Sequence, residues 1–200
     1  MKNIYREIRI SLLATLSLAV ILCGFYPLSV WVLGQGLFPA KANGSLIVRN
    51  GKIVGSNLIS QGFSGPEYFH PRPSAAGQGY EATRSGGSNL GPLSKKLTDE
   101  VGQRILDYRR ENSLGSDVLV PADAVTTSAS GLDPHISLKN ARLQAARVAR
   151  ARGLSELAVR KQIEACAEGR FLGVLGEPRV NVLMLNLALD DYIGKEHGKR

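Results

Sequence analysis

Soft metal ligands are scarce in this chain: two cysteines and three histidines among 200 residues. Cys23 falls inside a long apolar run and Cys166 lies in a different part of the chain, so they cannot pair and no disulfide staples the fold. His70, His135 and His197 stand far apart and no HExxH occurs, which argues against a zinc site with its short ligand spacing. No GxxxxGK[ST] is present, so the phosphate cradle of the P-loop hydrolases is missing. DKTGT, the phosphorylated motif of P-type pumps, is missing as well. Aromatics make up only 6% of the chain, with one tryptophan, and no stacking motif accompanies the basic residues. That argues against nucleic acid as a partner. No internal repeat is visible.

Charge is missing from one stretch altogether. Between Arg9 and Lys41 there is no charged side chain, and Ile10 to Leu33 is almost wholly apolar. As a helix this run is about 36 Å long, enough to cross a hydrocarbon core of about 30 Å with some tilt. Lys2, Arg6 and Arg9 against Glu7 place the short N-terminus in the cytoplasm. The rest of the chain is then expected outside, in a periplasm or its equivalent. Tyr5 sits near one interface, and Tyr26 and Trp31 near the other. Ala40-Lys41-Ala42 offers an A-x-A cleavage pattern, but a signal's apolar core runs about 7–15 residues. The longer run here predicts an uncleaved anchor in a bacterial inner membrane. Ser11, Thr15, Ala19 and Cys23, with Gly24 beside them, recur at helical spacing. Small residues of this kind let a second membrane helix approach closely.

The remaining charge is +6 of a total of +8, which suits a solvated surface or anionic lipid head groups. About 160 residues can bury a sufficient core. The expected organisation is a cytoplasmic N-terminus (1–9), one transmembrane helix (10–33), a connector (34–44), a single mixed α/β (α+β) extracytoplasmic domain (45–194) and a basic tail (195–200).

Within that domain Asn50-Gly51 predicts a tight hairpin between 45–48 and 53–54, the second strand continuing to Leu58-Ile59. Residues 60–94 lack periodicity, yet Phe63, Tyr68, Phe69 and Tyr80 argue against disorder. They predict an ordered, irregular surface loop. A helix begins at or just after Ser94, with Leu97, Val101, Ile105 and Tyr108 on one face. Val118–Val120 reads as a short strand and Ala122 as the start of a brief helix. Ser137 caps a helix from Leu138 to Arg152, with Gly153 as its stop. Ser155 caps Glu156 to Ala167, placing Cys166 in a helix as a small apolar residue. A short strand near Val180 leads into a helix from about Asn181.

Three groups of residues invite a functional reading. Ser85-Gly86-Gly87-Ser88-Asn89 is a flexible polar loop whose amides can face an anion or close a structural turn. Gln144 and Arg147 lie on the helix from Leu138, where Arg142, Arg147, Arg150 and Arg152 read as a solvated face. Ser128, Ser130, Asp133 and His135 hold the residue types of a serine nucleophile system. They crowd eight positions and lack the GxSxG turn, so Asp133-Pro134 reads better as a turn. A membrane-anchored enzyme built on these four is the alternative function class.

Ordered blocks along nearly the full length carry a resemblance. They are GFYP (24–27), VLGQ (32–35), ANGSL (42–46), YFHPRPSA (68–75), SGGSNLGP (85–92), VPAD (120–123), SGLDPHIS (130–137), RVARAR (147–152) and GEPRVNVLMLN (176–186). With them the chain resembles the KdpC family, small subunits of the bacterial Kdp potassium-transporting P-type ATPase. Ser60 and Pro71 stand where that family commonly has Gly. The resemblance implies a non-catalytic accessory subunit with no cofactor of its own, ATP and potassium being handled by the complex. It implies three partners: a channel-like potassium-binding subunit, a P-type ATPase subunit and a small membrane peptide. It also implies a catalytic chaperone that raises the ATP affinity of the ATPase subunit. On that reading Ser85, Gly86, Gly87, Ser88, Asn89, Gln144 and Arg147 become candidates for a partner-facing or nucleotide-linked site.

Overall fold

A computed structural model describes residues 2–197. The chain forms two compact units that divide between Leu46 and Ile47.

The first unit is helical. α1 (Lys2–Ala19) passes through a wide turn at Val20–Phe25 into α2 (Tyr26–Leu37). The stretch Asn3–Leu37 is long and apolar enough to cross a membrane. In the wide turn the Tyr26 N–H donates to the Ile21 carbonyl, five residues back. Pro27 accounts for it. A proline ring collides with the carbonyl four residues earlier, here that of Cys23, and inserting one residue into the turn relieves the clash. Because such a turn holds more residues, Cys23 is set back toward the Ser11–Thr15–Ala19 line instead of drifting ahead of it. The helix outlasts its predicted end at Leu33 and runs through Gly34 and Gly36, and α3 (Pro39–Ala42) adds a further turn. The connector is therefore largely helical. The Asn43 side-chain amide closes it on the Pro39 carbonyl (2.7 Å) and on Gln35 Oε1 (3.0 Å).

The second unit opens with a hairpin, β1 (Leu46–Arg49) and β2 (Lys52–Ser56). Asn50 and Gly51 both have positive φ (49° and 74°), the backbone that a two-residue type I′ turn requires. β2 stops at Ser56, short of the predicted Leu58-Ile59. There the Ser56 hydroxyl accepts from Leu58 N–H (3.1 Å) and turns the chain. α4 (Lys95–Glu111) starts at its Ser94 cap and half-buries the predicted face. Val118–Val120 is not a strand. Its turn is held by Val118 N–H on the Gly115 carbonyl and by Arg109 Nη2 on the Val118 carbonyl (2.9 Å). α5 (Ala122–Val125) follows.

β3 (His135–Ser137) leads into α6 (Leu138–Arg152), then α7 (Glu156–Ala165), β4 (Ala167–Glu168), β5 (Arg179–Asn181) and α8 (Val182–His197). The sheet order is β3-β5-β4, antiparallel throughout, with Ile136 opposite Val180 and Ala167 opposite Val180 on the other side. Ser137 and Ser155 accept from the backbone three residues on, Asn181 does the same for Met184 N–H, and Gly153 (φ 65°) ends α6. Each cap satisfies backbone groups that a helix end leaves unpaired. Cys166 is the residue that closes α7 rather than a member of it, because the chain passes directly into β4. Ala141, Ala145, Val148 and Ala149 of α6 pack with Val159, Ile163, Val180, Val182, Leu185 and Leu189 around Phe69 and Ile136. Alanines at four-residue spacing let the neighbouring helices lie close. The expected basic tail is helical to His197, and Gly198–Arg200 lie outside the described residues.

Candidate functional site

The irregular segment 60–94 is not merely a surface loop. Phe69 is wholly buried, and two side-chain amides grip the backbone there as a neighbouring strand would. Asn186 of α8 accepts from Phe69 N–H (2.8 Å) and donates to the Phe69 carbonyl (3.0 Å). Gln144 of α6 accepts from His70 N–H (2.7 Å) and donates to the His70 carbonyl (3.1 Å). The segment thus runs extended between two helices, its polar backbone satisfied by side chains instead of a sheet.

Arginines from α6 complete the grip. Arg147 Nη1 donates to the carbonyls of Pro66 (2.6 Å) and Tyr68 (3.0 Å), Nε to Asn112 Oδ1 (3.0 Å) and Nη2 to Gln144 Oε1 (2.8 Å). Arg152 donates to the Glu67 carbonyl and to Asp190 Oδ1 (2.7 Å) while lying over the Tyr68 ring. The expected solvated arginine face holds for Arg142 and Arg150, which are exposed. It fails for Arg147 and Arg152, whose side chains are only 7% and 6% accessible. Burial pulls the Arg147 guanidinium down from its ordinary range, opposed by the Glu111 carboxylate.

Beside this grip lies a cavity of about 240 Å³, lined in part by His70, Arg104, Tyr108, Glu111, Asn140 and Gln144. His70 Nδ1 meets Glu111 Oε1 at 2.8 Å and Nε2 meets the Gly65 carbonyl at 2.9 Å. Both ring nitrogens face acceptors. The hydrogen bond from His70 holds the Glu111 carboxyl below its usual range, against the opposing effect of burial, with the charges of His70 and Arg147 adding to it. Tyr108 donates to Asn140 Oδ1 (2.8 Å), and Asn140 donates on to Asp123 Oδ2 (2.9 Å). Burial pushes the Tyr108 phenol far up, and Asp123 adds to that.

The glycine-rich candidate 85–89 and the serine segment 128–131 are brought side by side. Gly86 N–H and Ser85 Oγ both donate to the Ser130 carbonyl (2.9 and 3.0 Å), and Thr127 Oγ1 reaches Ser88 Oγ at 3.4 Å. Asn89 takes a left-handed backbone (φ 51°). The Gly86 amide is therefore committed to a protein carbonyl. Asp133 receives the His135 N–H (3.0 Å) and lies 3.3 Å from His135 Nδ1 and 3.1 Å from Arg72 Nη1. Burial alone would raise the Asp133 carboxyl; the His135 hydrogen bonds and the Arg72 charge outweigh it and leave it below its usual range. His135 Nε2, the atom that would take a serine's proton, faces Glu168 Oε2 at 3.7 Å. Ser128, Ser130, Asp133 and His135 do not assemble a triad. Of the four, Asp133 and His135 border a shallow cleft of about 490 Å³ with Arg72, Asp123 and Arg179. Among the described residues no three His, Cys, Asp or Glu side chains gather as metal ligands.

Sequence reasoning missed Asn140, Asn186, His70 and Glu111. One signal was present: Asn140, Gln144 and Arg147 sit at i, i+4 and i+7, a polar stripe on a helix whose other inward positions are alanine and valine.

A family model described as K+-transporting ATPase, c chain (KdpC), matches residues 8–191. Proteins named potassium-transporting ATPase KdpC subunit are similar over most of their length. The one from Myxococcus xanthus is 55% identical over 184 residues, 91% of this chain and 87% of its own. That from Rhodospirillum rubrum is 52% identical over 192 residues, 96% and 99% of the two chains. A mycobacterial protein (Mycobacterium bovis) is 56% identical over 165 residues, 82% of this chain and 87% of its own. The match takes in most of the apolar helix, the clamped segment and the helices that clamp it; the chain belongs to the KdpC family.

Proposed function

We propose that this chain is the accessory KdpC subunit of an ATP-driven potassium transport complex, held in a bacterial inner membrane by its N-terminal helix. The observation that carries the reading is the family match through both the helix and the folded domain. The N-terminus lies in the cytoplasm and the domain outside, as the basic residues before the helix favour. The chain supplies no cofactor and catalyses nothing itself. A channel-like subunit, a P-type ATPase subunit and a small membrane peptide are its partners, and lipid surrounds its helix. The helix joins the subunits while the domain covers the outer mouth of the channel-like one. A rise in the ATP affinity of the ATPase subunit then has to be a coupling between sites on opposite sides of the membrane. The internal bonds of Gln144 and Arg147 support that reading, since both side chains are spent on the loop. The 85–89 loop and the stripe Ser11, Thr15, Ala19, Cys23 and Gly24 remain its candidate partner-facing features.

A tagged copy purified in mild detergent from native-host membranes, after growth in low potassium, tests this. Recovery of a channel-like subunit and a P-type ATPase with it is the expected result. Recovery of the chain alone, with those subunits present in the same membranes, overturns it.

A further inference from the structure

The segment between β4 and β5 folds into a small apolar tip. Phe171 and Leu175 pair across it, exchanging N–H···O=C bonds of 2.8 and 3.0 Å, and Val174 N–H closes the turn on the Phe171 carbonyl. None of its large side chains is packed into the domain: Phe171, Leu172, Val174 and Leu175 are 69%, 79%, 73% and 59% exposed. Four such neighbours make a patch on the order of 400 Å², within the roughly 300–600 Å² of the largest apolar patch on a monomer, which is often functional.

A second observation is independent of exposure. Leu172 holds a left-handed backbone (φ 52°) at the turn position next to Gly173 (φ 77°). Asn or Gly adopts that conformation with less strain. A leucine placed there, with its side chain in solvent, gains nothing inside the domain that offsets the strain. Its use lies outside the domain.

Charge selects the occupant. At the base of the tip Arg170 pairs with Glu177 (3.0 Å) and Arg179 with Glu168 (3.0 Å). Each cation between 168 and 179 is thus answered by an anion of the same hairpin. A segment that docks on anionic lipid presents unanswered Lys or Arg beside its apolar side chains; this one presents a neutral apolar knob on a self-neutralised stem. A standard interface buries about 800 Å² per partner, roughly twice this patch. A tether in the same membrane makes the smaller contact sufficient by raising the effective concentration.

We infer that the Phe171–Leu175 tip is an anchor that seats in an apolar cleft on the extracytoplasmic face of another protein subunit of the same membrane complex. This rests on the pump-subunit reading above. Leu172→Asn and Phe171→Ser test it in the full chain. Leu172→Asn relieves the backbone strain, so thermal unfolding of the detergent-solubilised chain stays level or rises. Co-purification of the pump subunits falls at least tenfold, while unaltered chain from parallel membranes retains them. A merely structural turn gives the opposite pairing, stability changed and co-purification kept, which overturns the inference. A photoreactive p-benzoylphenylalanine in place of Val174 identifies the occupant. An adduct with a pump subunit upholds the inference, and an adduct only with lipid or with a second copy of this chain overturns it. If unaltered chain retains no pump subunit, the pump-subunit reading itself has failed.

Discussion

Replacing Gln144 with alanine asks whether this side chain holds the loop or a ligand. It is 1% exposed and makes four hydrogen bonds, two to the His70 backbone, one to Asn140 and one from Arg147. Truncation leaves the His70 N–H and carbonyl without protein partners. A buried polar group left in that state costs about 1–3 kcal/mol. The other two losses are smaller, because Arg147 keeps Pro66, Tyr68 and Asn112 and Asn140 keeps Tyr108. A water entering from the adjoining cavity restores part of what is lost. The net destabilisation comes to about 3 kcal/mol, a fall in Tm of about 6–12 °C at the 2–4 °C per kcal/mol of a domain this size. Near-ultraviolet circular dichroism of the full chain in detergent, followed through thermal unfolding, measures it. Gln144→Met, which refills the volume without the bonds, has to lose a similar amount if hydrogen bonding is the cause. Unfolding within about 0.5 kcal/mol of the unaltered protein, combined with loss of the complex's response to ATP, would refute the clamp and make Gln144 a ligand group.

Glu111 predicts an acid limb. Its carboxyl titrates below the usual value, so the stability it contributes is present above its unfolded-state pKa and is lost as pH falls through the folded-state one. Glu111→Gln is therefore less stable than the unaltered chain near neutrality, and the gap narrows below about pH 4, as read by unfolding midpoints across pH. Gly131 has φ 67°, and a Cβ there would lie 2.6 Å from the Gly86 carbonyl oxygen. Gly131→Ala costs about 2 kcal/mol or more in urea unfolding, and an unchanged midpoint counts against the close approach of the two loops. Burial raises the Cys166 thiol, so in a Cys23→Ser background iodoacetamide at pH 8 reacts with it roughly tenfold or more slowly than after unfolding; equal rates contradict its packing.

Elements whose signals are local were legible in the sequence. Asn50-Gly51 states its own turn, Ser94, Ser137 and Ser155 stand at the helix starts they cap, and Gly153 takes the positive φ that ends α6. The segment 60–94 was legible only as ordered. What orders it are bonds from residues 74 and 117 positions away, Gln144 to His70 and Asn186 to Phe69, and no window of sequence contains both ends. Val118–Val120 shows the converse error. Val118 ends a turn from Gly115, and Leu119 and Val120 run on without regular structure, since among the described residues no strand pairs with them and β-propensity expresses context more than backbone preference. At the candidate site the sequence named Gln144 and Arg147, but gave Gln144 no local meaning and read Arg147 as solvated. Arg142, Arg147, Arg150 and Arg152 were taken together as a solvated face, when only Arg142 and Arg150 are exposed.

The proposed rise in ATP affinity makes a demand that topology sharpens. On the proposed orientation the domain, outside the membrane, has no contact with a nucleotide inside, so its effect is a difference in how tightly it binds two states of the complex. A tenfold rise needs about 1.4 kcal/mol of such difference. Burying one leucine or phenylalanine side chain supplies about 1.5–3 kcal/mol, so the four of the apolar tip suffice if they seat in only one state. Linkage then fixes a reciprocal: nucleotide on the complex must tighten the binding of this subunit by the same factor by which the subunit tightens nucleotide. Titrating the detergent-solubilised subunit into complex that lacks it, with and without a non-hydrolysable ATP analogue, gives one ratio of Kd values. Titrating the analogue, with and without the subunit, gives the other. Equal ratios establish coupling between distant sites. A subunit Kd indifferent to nucleotide, beside an ATP Kd that the subunit changes, is thermodynamically inconsistent with equilibrium coupling and would move the effect into the rates of the pump's cycle.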